Sequence, residues 1–177
     1  PRPGEKDGID YFYVTTEKFK QMIEADELIE YAQYVKNYYG TPKAYVQQQL
    51  DLGKNVILEI EIQGALKIKK QFPETILLFV TAPDAKTLRD RLVGRGTETQ
   101  DVINARLARA CEESEGIENY DYLVVNDTVA HGVEVIHQLI GDERSGNTAQ
   151  NAAYRVSSNI DFINNMKEEL VSFSKGE

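Results

Sequence analysis

The strongest constraint on how this chain folds is a set of short apolar runs separated by stretches with helical spacing. The runs at 56–62, 76–80 and 123–125 suit parallel strands covered on both faces. Between and after them the pattern predicts helices over 64–71, 85–92, 100–113 and 128–140. Strand and helix in alternation imply an open α/β sheet with right-handed crossovers. The 177 residues suffice for one domain with a full core and small sub-domains, and they contain no internal repeat.

The first fifty residues differ in character. Residues 10–14 alternate polar and aromatic side chains like a half-buried strand. Thr15 or Thr16 then caps a helix striped by Phe19, Met22 and Ile23. A strand is expected over 28–34, a tight connection over 37–40, and a helix from Thr41-Pro42 through Leu50. At the other end, 141–151 reads as a polar break. A terminal helix over 152–173 is expected to pack back through Ile160, Phe162, Ile163 and Met166.

Charge narrows the function. A net charge of −9 argues against a nucleic-acid or anionic-membrane binder. No apolar run approaches a bilayer span, and the first residues lack a signal-peptide pattern. The single cysteine, Cys111, cannot form an internal disulfide and fits a reducing compartment. Five of the eight arginines fall between Arg89 and Arg109. Such a cluster in an acidic chain suits a small, locally clamped anion, although its spacing alone favours a solvated helix face. Arg91 and Arg95 are four apart, and Gly94 and Gly96 flank Arg95. Thr97-Glu98-Thr99 then caps a second helix carrying Arg106, an arrangement suited to a lid. His131 and His137 are six apart, which is not a metal-ligand spacing, and no metal site is expected.

Several blocks together resemble guanylate kinases, which move a phosphoryl group from ATP to GMP. R-x-x-G-R-G-T-E-T at 91–99 is similar to the family's lid. PRPGEKDGIDYFYV looks like part of its GMP-domain signature. LIEYAQYVKNYYGTP resembles the guanine-reading segment, ILEIEIQGA the core strand after it, and YDYLVVND the late strand near the adenine. The blocks occur in family order over about the first 145 residues.

The resemblance implies a P-loop nucleoside-monophosphate-kinase fold, with a parallel core sheet flanked by helices, a mixed α+β GMP-binding sub-domain and a helical lid. It divides the chain into a GMP-binding part (1–52), core (53–84), lid with flanking helices (85–114), core (115–145) and helical tail (146–177). It assigns GMP binding to Arg2, Tyr11, Glu30, Tyr39, Thr41 and Glu61. Arg2, Tyr11 and Tyr39 would hold the phosphate. Glu30 would accept the adjacent N1–H and 2-amino donors of guanine, beside Thr41. Glu61 stands where the family usually has Asp, and Glu59 shares its face by strand alternation. Arg91, Arg95 and Arg106 inherit the phosphate clamp, and Asn126 lies near the adenine. Arg89 and Arg109 are left as solvated or structural. Mg2+ with ATP, GMP and ATP as ligands, and a cytoplasmic setting follow from the same resemblance.

The sequence holds no G-x-x-x-x-G-K-[ST] pattern, the loop that cradles ATP phosphates. The expectation is that this loop lies upstream of Pro1 in the parent protein, and that the 177 residues alone are inactive or nearly so. A central strand missing from the sheet would leave an edge that a second copy could cover, hence a possible homodimer. Two other readings compete. One is a guanylate-kinase-like module that binds phosphorylated peptides without catalysis. The other is a related kinase with a different small acceptor.

Overall fold

Thr15 starts the first helix of the computed structural model, which describes residues 4–34, 37–94 and 100–174. Its hydroxyl accepts the Lys18 N–H at 3.2 Å, capping α1 (Thr16–Glu24). The chain divides into two units, Pro1–Pro73 and Glu74–Glu177.

In the first unit, β1 (Leu28–Tyr34) and β2 (Asn37–Pro42) form an antiparallel pair. The register sets Glu30 against Thr41, Tyr31 against Gly40 and Ala32 against Tyr39. The tight connection expected at 37–40 is therefore strand. Tyr38 and Tyr39 are good strand formers, and their pairing with Gln33 and Ala32 outweighs the turn signal of Asn37 and Gly40. Gly40 is needed in the strand itself, because a Cβ there would lie 2.9 Å from the Glu30 carbonyl oxygen and 3.0 Å from Phe19 Cζ. That close approach seats α1 on one face of the pair, where Phe19 stacks on Tyr38 with ring centroids 5.4 Å apart.

Residues 10–14 do not form the expected strand. Asp7 Oδ1 accepts the Tyr13 N–H at 2.9 Å and Asp10 Oδ2 accepts the Lys6 N–H at 2.8 Å, so local turns take the amides a ladder would need. One isolated bridge, Asp7 to Tyr11, remains.

After α2 (Lys43–Asp51), the run at 56–62 is also not a strand among the described residues. Its alternation survives in burial. Val56, Leu58 and Ile60 pack on the buried Ile29, Val46 and Ile68, whereas Ile57, Glu59 and Glu61 are exposed. The segment has the period of a strand without a ladder partner, and α3 (Ile62–Gln71) follows directly.

In the second unit, β3 (Leu78–Thr81) and β4 (Tyr122–Val125) pair in parallel from Leu78–Tyr122 to Thr81–Val125. β4 is covered on both sides, as an uninterrupted apolar run should be. Tyr122 and Val124 pack with Val135 and Leu139 of α6 (Val129–Ser145). Leu123 packs with Ile117, Val156 and Ile163.

The polar break expected from 141 begins later. α6 runs through Gly141 and stops at Gly146, whose φ of 77° is left-handed, with the Asn147 N–H donating to the Asp142 carbonyl at 2.9 Å. Short 3-10 turns at Thr148–Tyr154 and Val156–Ser158 replace the start of the expected terminal helix. α7 then spans Ile160–Ser174. Ile163 and Met166 are buried as expected, but Ile160, at the helix start, is 45 % exposed.

α4 (Ala85–Gly94) and α5 (Gln100–Ser114) pack through Leu88, Leu92, Ile103 and Leu107. α7 backs both, with Met166 and Leu170 against Ala85, Leu88, Ala110 and Cys111. Among the described residues, no helix is long and apolar enough to cross a membrane.

Candidate functional site

Directly opposed residues of an antiparallel pair project to one face, and so do alternate residues along each strand. Glu30 and Thr41, with Ala32 and Tyr39 two positions on, therefore share the face opposite to that holding Tyr38 and Gly40. The Thr41 hydroxyl donates to Glu30 Oε1 at 2.7 Å in a half-buried hydrogen bond, fixing one carboxylate oxygen and leaving Oε2 turned toward Gly64 of α3. Tyr39 is 45 % exposed, and the Tyr11 ring meets it edge-on with centroids 6.3 Å apart. Tyr13 lies 5.7 Å beyond Tyr11. Its hydroxyl donates to Glu5 at 2.7 Å, and desolvation together with that carboxylate pushes its pKa up to about 12. Tyr13 thus stays a neutral donor, while Tyr11 and Tyr39 are both exposed. One patch in the first unit so combines a fixed carboxylate, a hydroxyl and two exposed phenols.

In the second unit, the Arg91 guanidinium reaches from α4 to the carbonyls of Asn126 (2.7 Å) and Asp127 (2.7 Å), just past the end of β4. The fork holds α4 against this loop. Asp84 Oδ1 caps the other end of α4 by accepting the Thr87 N–H, which keeps the Asp84 carboxyl below its ordinary pKa of 3.8. Asp127 is likewise lowered, first by His131, whose Nδ1 is 2.7 Å away, and then by the Thr128 N–H. The Asn126 amide oxygen is buried without a hydrogen-bond partner among the described residues, close to Gly132, where a Cβ would come within 3.2 Å.

The family model for guanylate kinase matches residues 1–143. The chain belongs to the guanylate kinase family. It is 51% identical over 142 residues to a guanylate kinase of Oceanobacillus iheyensis, covering 80% of this chain and 69% of that one. It is 52% identical over 143 residues to one of Shouchella clausii, covering 81% and 70%. The crystal structure of guanylate kinase from Anaplasma phagocytophilum matches with a TM-score of 0.66 at 31% identity, over 81% of this chain and 70% of that one. The fold is that of the P-loop nucleoside-monophosphate kinases, as the order of blocks implied.

In this guanylate kinase chain, Glu30, Thr41, Tyr39 and Tyr11 come together in the first unit. Glu61 is exposed at the N-cap position of α3 and makes no side-chain bond to that helix's first turn. Arg106 is half-buried on α5. Arg2 and Arg95 lie outside the described residues, as does the cap at 97–99. Among the described residues no three His, Cys, Asp or Glu side chains gather so as to hold a metal ion. Sequence reasoning missed the Asn126 and Asp127 carbonyls as partners of Arg91. The signal was their place after β4, since ligands of α/β folds gather beyond the carboxyl ends of strands.

Proposed function

We propose that this chain carries the acceptor site and the arginine-bearing flap of an enzyme that transfers the terminal phosphoryl group of ATP to GMP, giving ADP and GDP. The observation that carries this is the Thr41–Glu30 hydrogen bond in a guanylate kinase chain. It holds a carboxylate in place to accept two adjacent donors from one ligand edge. Guanine offers N1–H and the 2-amino group side by side, and adenine offers no such pair. The exposed phenols of Tyr39 and Tyr11 lie on the same unit as donors to the GMP phosphate, and the family resemblance gives Arg2 the same role. Glu61 takes the place of the usual Asp in the ligand-side network.

Phosphoryl transfer asks chiefly for alignment and for positive charge where negative charge develops. Arg91, Arg95 and Arg106, on the flap spanning 85–114, supply that charge. A guanidinium has five N–H donors, so Arg91 can hold the Asn126 and Asp127 carbonyls and still meet a phosphate. Asn126 borders the adenine. The 177 residues contain no phosphate-cradling glycine loop, so by themselves they bind GMP without turning it over.

Calorimetry on the 177-residue chain tests this. GMP is expected to bind, AMP to bind at least about tenfold more weakly, and a coupled assay with ATP and GMP to show no steady turnover. Equal affinity for the two nucleotides, or binding of a phosphopeptide without GMP, would refute the assignment.

A further inference from the structure

Gly64 is the third residue of α3, a helix position where glycine is among the least favourable choices. Its backbone does not require glycine, because the left-handed glycines among the described residues are Gly4, Gly8, Gly53 and Gly146. Packing does not require it either. A Cβ built there would meet Glu30 Oε2 at 3.5 Å, Ile60 Cδ1 at 3.5 Å and Glu30 Cβ at 3.7 Å, all ordinary contacts. An alanine would fit the folded chain and strengthen the helix. What any side chain at 64 would change is the space beside the Glu30 carboxylate.

Among the described residues, that carboxylate has one oxygen engaged and one open. Thr41 holds Oε1 at 2.7 Å, and Oε2 is the atom facing Gly64. A charge-assisted N–H donor must come to about 2.8 Å from its oxygen, along a lone-pair direction. A flat ring presenting two such donors must also bring its edge in alongside. A methyl group 3.5 Å from Oε2 narrows the directions open to that edge, and a longer side chain closes them.

We infer that Gly64 is a specificity-determining residue: its missing side chain keeps the edge of the Glu30 carboxylate open to a planar base carrying paired donors. The inference rests on the guanine assignment above and adds a residue from a separate element of the same unit.

The variants Gly64→Ala and Gly64→Leu test it, compared with the parent chain for GMP affinity and thermal unfolding. Both residues favour helix, so the Ala variant should unfold about 2–4 °C higher than the parent. GMP affinity should fall by about threefold for Ala and by more than about tenfold for Leu. Greater stability together with weaker GMP binding separates a ligand role from damage to the fold. If the parent binds GMP and the Ala variant, equally folded, binds it as tightly, the role of Gly64 is refuted and the guanine assignment stands. If the parent does not bind GMP, the assignment falls and this inference with it.

Discussion

Replacing Glu30 by Gln changes the acceptor while leaving its shape. The Gln carbonyl can still accept the Thr41 hydroxyl now 2.7 Å from Oε1, so the hairpin register is kept. The second position, facing Gly64, becomes an NH2 group that donates. A guanine edge then loses one charge-assisted hydrogen bond and meets a donor facing a donor. At about 1.5–3 kcal/mol for a bond to a charged group, plus the unpaired donor, the loss is about 3 kcal/mol, or roughly two decades in Kd. Stability should scarcely move, because Glu30 is only half-buried and keeps its Thr41 partner. The assay is GMP titration by calorimetry, with thermal unfolding alongside. Binding of GMP by Glu30→Gln within about threefold of the parent, at unchanged stability, would show that the carboxylate does not read the base.

Gly40→Ala should destabilise the first unit by about 2 kcal/mol or more, since its Cβ would press on the Glu30 carbonyl at 2.9 Å, and denaturant unfolding measures this. Arg91→Ala removes both bonds to the 126–127 carbonyls, which are solvent-exposed, so it should cost about 1 kcal/mol and speed hydrogen exchange in α4. The folded-state pKa values of Asp84 and Asp127 are depressed below 3.8, so the unfolded chain takes up those protons first. Their contribution is complete above that value and is lost as pH falls through the lower folded values, so acid titration should loosen the N-terminal turns of α4 and α6.

The elements that could be read from sequence were those whose signals are local. Thr15 and Thr128 cap helices with their own hydroxyls, and the stripe of Phe19, Met22 and Ile23 needs no distant partner to be recognised. The run at 56–62 failed as a strand for the opposite reason: its alternation is intrinsic, but a ladder requires a neighbour that composition cannot supply. Asn37 and Gly40 carry turn chemistry that hides β2 from local reading, whereas Gly40 answers to Phe19 and Glu30 across space. The Glu30–Thr41 pairing was accessible only through family likeness, since an isolated acid in a strand looks like any solvated one. The Arg91 fork onto residues 35 and 36 positions away had only an indirect sign, the place of those carbonyls just past β4.

The family match ends at residue 143, yet α7 begins at Ile160. Its Glu169 accepts the Ala85 N–H at 2.9 Å, and Met166 and Leu170 close over Ala85 and Leu88. A version trimmed to the matched segment would therefore strip the backing from the two helices that bear Arg91 and Arg106. It would show solvent a greasy seam where the longer chain has a lining, so the tail works as a splint for α4 and α5.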